Sequence, residues 1–150
     1  MKPLLENEAK IIEQSNSHPD RFIHATLFTF SLRGLLRAAS YASMNVEREH
    51  SARLTQAIND FKKAIPALEI VRNALEHFDD YDQGNGDDQK KNGNWPFRIN
   101  WDNSNGVLTV GPERSLSIPK SREAANILHL AIQTVCAAGR GLPHPYRSCI

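Results

Sequence analysis

One long stretch of this 150-residue sequence, ending near Met44, constrains the fold more than any other. Its apolar residues do not fall on one side of a helix. Phe22, Ile23, Leu27, Phe30, Leu35, Leu36, Ala38, Ala39 and Ala42 cover much of a helical circumference, as expected when a helix is packed on more than one side. The stretch predicts a core helix or an interface helix. Ser17 with Asp20 three residues on reads as a capping box, and Pro19 suits the first turn, where a missing N–H costs nothing. His24, Arg33 and Arg37 lie inside it, which argues against a membrane-spanning helix.

The flanking segments read as further helices. Leu4, Leu5, Ala9, Ile11 and Ile12 give a short amphipathic helix that stops in a polar run at residues 14–18. A third helix begins near Glu47, with Leu54, Ala57, Ile58, Phe61 and Ile65 at helical spacing, and breaks at Pro66. From Pro66 the pattern PALEIVRNALEHFDDYD predicts one more helix, with Leu68, Val71, Leu75 and Phe78 as its core stripe and Ile70, Ala74 and Tyr81 on the shoulder. Residues 82–93 hold Gly84, Gly86 and Gly93 among polar side chains and predict a loop with nothing to fill a core.

Asn105-Gly106 favours a tight turn and sits between two short apolar runs. The spacing predicts a two-stranded hairpin over residues 97–110, with Phe97, Ile99 and Trp101 on one face lying against the helices. A last helix spans about residues 120–138, with Ala124, Ile127, Leu128, Ala131, Ile132, Val135 and Cys136 as its apolar stripe. Gly139 and Gly141 end it, and residues 141–150 read as an extended tail. The sum is a single all-α domain over residues 1–150, a four- to five-helix bundle with one β-hairpin insertion.

Composition adds mainly exclusions. Basic and acidic residues number 6 and 6 in the first third, 7 and 8 in the second, 5 and 3 in the last. No segment is a basic arm, so strong non-specific affinity for nucleic acid is not implied. Glu6, Glu8 and Glu13 interrupt what an export signal would need to be apolar. Cys136 and Cys149 have no metal-type spacing, and a reducing cytoplasm is the expected compartment.

Several motifs fail on inspection. An EF-hand register starting at Asp80 places Asn85 where glycine belongs and Lys91 where the bidentate glutamate belongs. The glycines make no phosphate-binding pattern, and His18, His24, His50 and His144 are scattered, so neither a metal nor a cofactor is expected. Trp95 and Trp101 read as cover for a helix face more readily than as base-stacking platforms.

What remains is Arg72-Asn73-Ala74-Leu75-Glu76-His77, an arginine and a histidine separated by four residues, with asparagine directly after the arginine. This hexapeptide resembles the RxxxxH signature of the HEPN superfamily, and the order of helices around it is loosely similar. Arg122 and His129 fit a looser spacing, but Arg122 is followed by Glu123 and the pair sits at the margin of an apolar helix. On an unbroken helix Asn73 and His77 are neighbours one turn apart, whereas Arg72 lies roughly 140° from His77 around the axis. A single copy is therefore an awkward site, and two copies meeting across a two-fold axis would bring the groups together.

The resemblance implies a HEPN-like bundle, a homodimer, and metal-independent endoribonuclease chemistry with Arg72, Asn73 and His77 at the site. In that chemistry the ribose 2′-OH attacks the adjacent phosphate and leaves a 2′,3′-cyclic phosphate. Arginine is the side-chain type that fixes phosphate charge, and histidine the type that moves protons near neutral pH. RNA is the implied substrate, since DNA lacks the 2′-OH. A toxin or antiviral-defence role, with an antitoxin or other regulatory protein as a further partner, follows from the same resemblance. The rival reading is a catalytically silent module of the same shape that binds a protein partner or a nucleotide. Glu69, Glu76, Asp79, Asp80 and Asp82 crowd the region, and Glu76 is placed to pair with Arg72 one turn away. Arg33 and Arg37, also one turn apart, are candidate guides for an RNA backbone.

Overall fold

The computed structural model describes residues 2–14, 18–93, 96–111 and 114–139. Its central element is the long helix that the sequence singles out. Helix α1 (Lys2–Gln14) is followed by α2 (His18–Met44), α3 (Arg48–Ala64), α4 (Leu68–Glu76), α5 (Phe78–Asp82), α6 (Asp87–Asn92), strands β1 (Ile99–Asp102), β2 (Val107–Val110) and β3 (Arg114–Ser117), and α7 (Ile118–Gly139). Helix α2 touches α1, α3, α4 and α7. Its Phe28 and Leu32 meet Ile12 of α1, Leu54 of α3, Val71 and Leu75 of α4 and Leu128 of α7 in one continuous buried core. Each such side chain gains roughly 1.5–3 kcal/mol on burial, so the bundle is built around this one helix. Ser17, with the capping box assigned to it, lies outside the described residues.

Helix α3 buries Leu54, Ile58 and Phe61 at helical spacing and stops where Pro66 forbids continuation. Ile65, the residue before the proline, leaves helical geometry with φ −132° and ψ 63°, the bias that a following pyrrolidine ring imposes.

The segment after Pro66 departs from the expected single helix. It divides at His77 into α4 and α5, and the core stripe changes with it: Leu68, Val71, Ala74 and Leu75 are buried, but the next core residue is Tyr81, while Phe78 faces outward. The tyrosine ring supplies the reason. It packs 6.1 Å, centroid to centroid, from Phe97 and against Gly86, where even a methyl carbon would come within 2.6 Å of the ring. Phe78 then lies edge-on to Phe22, with centroids 5.9 Å apart.

Residues 82–93 are likewise more than a loop. They contain α6, and Gln89 is buried. Its Oε1 accepts from the Gly86 N–H and its Nε2 donates to the Tyr81 carbonyl, both at 2.9 Å. A buried amide satisfied on both sides is inexpensive, so a polar residue serves where apolar patterning shows nothing.

The hairpin forms and gains a strand. β1, β2 and β3 make an antiparallel sheet in that order, with Leu108 opposite both Trp101 and Leu116. Phe97, Ile99 and Trp101 are half-buried between exposed neighbours, as the alternation requires. The turn spans residues 103–106 rather than two residues. Only Gly106 has positive φ, at +58°, so the turn is not the type in which both central residues need it. Asp102 holds it instead: its Oδ1 accepts from the N–H groups of Ser104 and Asn105, and Oδ2 from the Asn105 side chain. Those bonds, the Asn105 side chain foremost, hold the Asp102 carboxyl below the usual carboxylate range. β3 escapes sequence reading because Arg114-Ser115-Leu116-Ser117 has one apolar residue to bury.

Helix α7 begins at Ile118, just before the expected start, with Ile118 fully buried and its N–H bonded to the Gly106 carbonyl at 2.9 Å. Leu128 and Val135 are in the core, but Ile127 is exposed and leaves the apolar stripe assigned to it. The fold is mostly helical with a small three-stranded sheet. No helix among the described residues is long and apolar enough to cross a membrane. Trp95, Cys149 and the tail after Gly139 lie outside the described residues.

Candidate functional site

Helix α4 lies along α2 in the opposite direction. Near its start Glu69 pairs with Arg33, and just past its end Phe78 packs on Phe22. Arg72, Asn73 and His77 are carried on this segment toward its C-terminal end.

Arg72 is largely enclosed, with 16% of its side chain exposed. Its Nη1 donates to Glu76 Oε2 and its Nη2 to Asn73 Oδ1. Nε is buried with no hydrogen-bond partner. The guanidinium is therefore fixed in place by two neighbours on its own helix. The Glu76 pairing anticipated from the one-turn spacing forms, and Asn73 turns toward Arg72 rather than toward His77.

His77 differs from the sequence expectation in a way that matters chemically. It is not a helix-interior residue one turn beyond Asn73. It sits at the break between α4 and α5 with φ −120° and ψ 45°, its backbone N–H capping α4 on the Asn73 carbonyl at 2.9 Å. Its side chain is 57% exposed, and Nε2 lies 3.9 Å from the Glu76 Oε2 that also accepts from Arg72. One carboxylate thus stands between the cation and the imidazole. The arrangement sets a fixed positive group, an amide and a solvent-accessible imidazole within six residues. A phosphate would have to compete with Glu76 for a guanidinium that is largely enclosed.

The surroundings remain acidic, as the sequence suggests: Glu69, Asp79, Asp80 and Asp82 are all exposed. Arg33 is committed to Glu69. That pair and Arg37 line an open groove of about 340 Å³ with Leu36, Ser40, Tyr41, Met44 and Lys62. Arg122 and His129 are on α7, apart from this constellation.

Two contacts have no signature in the sequence. His24 Nδ1 lies 2.5 Å from Oε2 of Glu8, a carboxylate that is almost wholly buried between α1 and α2. The Arg21 guanidinium sits 5.8 Å over the Trp101 ring, beside a cavity of about 50 Å³. That is room for a water or two rather than for a metabolite. Among the described residues no three His, Cys, Asp or Glu side chains group to hold a metal. The chain matches no protein-family model, no curated protein and no solved structure.

Proposed function

We propose that this protein is a metal-independent endoribonuclease of the HEPN type that acts as a homodimer, with Arg72, Asn73 and His77 at its site. The observation that supports the reading is that Arg72 and Asn73, hydrogen-bonded to each other, are linked through Glu76 to His77, whose imidazole is open to solvent at the end of α4. In the reaction the ribose 2′-oxygen forms a bond to phosphorus as its proton passes to a base. The bond from phosphorus to the 5′-oxygen breaks, and that oxygen takes up a proton. The products are a 2′,3′-cyclic phosphate and a 5′-hydroxyl. His77 is the proton carrier, and Arg72 holds the charge that builds on the phosphate oxygens, an electrostatic role of the kind worth about 3–4 kcal/mol of barrier. Asn73 fixes the plane of the guanidinium. A role in a toxin system or in antiviral defence is part of the same reading.

The Glu76 carboxylate, already bonded to Arg72, favours the alternative: a silent module of the same shape that binds a protein or nucleotide. Cleavage of a structured RNA in EDTA separates the two. The nuclease reading expects cyclic-phosphate ends, and a fall in rate on the order of 100-fold or more for His77→Ala and for Arg72→Ala, both variants keeping the wild-type sedimentation. Wild-type protein that cuts none of several RNAs, or cuts them as fast after either substitution, rejects it in favour of the silent module.

A further inference from the structure

Helix α2 is apolar on the face turned away from its own core. Ile23, Leu27, Phe30, Gly34, Arg37, Tyr41 and Met44 follow one another at alternating steps of four and three residues, the spacing that keeps a seam facing another helix. The large apolar members are exposed, from 40% for Phe30 to 75% for Met44. The seam runs about 30 Å along the helix, with Gly34 at its midpoint.

We infer that this seam is the interface of a homodimer in which α2 of one copy packs antiparallel on α2 of the other, across a two-fold axis at Gly34. The inference rests on the exposed face of α2 and does not depend on the chemistry of the proposed function.

The order of residues is self-complementary only in this sense. Ile23 meets the partner copy's Met44, Leu27 meets Tyr41, Phe30 meets Arg37 with its guanidinium over the ring, and glycine meets glycine where the backbones come closest. A parallel pairing would stack Arg37 on Arg37.

Charge points the same way. Helix α4 flanks one side of the seam, and its far end with α5 carries Glu76, Asp79 and Asp80 next to Phe78, which packs on Phe22 near the start of α2. On the same side, toward the other end, the open groove carries Arg37 and Lys62 beside the Arg33–Glu69 pair, a net positive lining. A two-fold axis across the seam keeps like sides together while exchanging ends. The acidic end of each copy then faces the basic end of the other, and the exposed Phe78 faces the groove. With roughly 150–250 Å² to an aromatic side chain, these residues offer on the order of 700 Å² per copy, against about 800 Å² per partner in a stable interface of standard size. The same axis places both α4 helices on one side with their ends exchanged, so that His77 of each copy, next to Phe78, lies at the opposite end of the seam from its counterpart.

Sedimentation of the full chain, beside Leu27→Glu and Tyr41→Glu, tests the interface. The wild type is expected to be dimeric, and each variant, with helicity retained by circular dichroism, to associate at least about 100-fold more weakly, a factor of ten for each symmetric contact. The register is tested with Cys136 and Cys149 changed to serine. A mixture of Ile23→Cys chains and Met44→Cys chains should cross-link on oxidation, and neither should do so alone. A monomeric wild type, a folded Tyr41→Glu variant that dimerises normally, or cross-linking of Ile23→Cys with itself overturns the inference. A dimer that cleaves no RNA leaves the interface standing and removes only the nuclease.

Discussion

The chain breaks twice between α3 and α5, and the two breaks have different causes. At Pro66 the break is local chemistry: the proline has no N–H to donate, its ring disfavours helical geometry at Ile65, and the turn is written in two adjacent residues. At His77 neither a proline nor a glycine intervenes. The helix yields there because Tyr81 takes the core position that Phe78 would have held, beneath Gly86 and Phe97. The first break only redirects the chain. The second frees an imidazole from the helix and turns it to solvent next to Glu76 and Arg72, so the chemistry of the candidate site depends on packing several residues away.

The comparison can be broken most severely at Tyr81. Tyr81→Ala removes the buried ring and should cost about 3–5 kcal/mol, read as a lower midpoint in urea denaturation, with loss of protection from amide exchange over α5 and α6. A Tyr81→Ala protein as stable as the wild type would show that the break has another cause. Gly86→Ala tests the same contact from the other side. The added carbon lies 2.6 Å from the ring, and overpacking of this kind should cost about 1–3 kcal/mol by the same measurement. The smallest effect belongs to the local break. Pro66 is exposed, and Pro66→Ala should change stability by less than about 1 kcal/mol, with α3 and α4 remaining separate helices in an amide-exchange profile because their buried faces are already committed.

The helices were legible where apolar spacing was dense. Leu54, Ile58 and Phe61 announce α3, and the run from Phe22 to Ala42 announces a helix packed on more than one side, as its contacts with α1, α3, α4 and α7 bear out. The Arg72–Glu76 pair was readable from its one-turn spacing. The third strand, α6 and the buried Gln89 were not, because their partners are backbone groups and distant side chains rather than periodic apolar neighbours. The Glu8–His24 contact joins residues on two different helices, and nothing in either local sequence marks it.

The sequence by itself thus determined the mostly helical fold, the proline turn and the sheet's first two strands, since each rests on covalent geometry or on short-range periodicity. Only the tertiary structure decided where the helix after Pro66 ends, which aromatic ring enters the core, that Glu76 stands between Arg72 and His77, and which side of α2 is left uncovered. Those outcomes follow from competition among distant groups for one close-packed interior, where a ring that fits displaces one that does not.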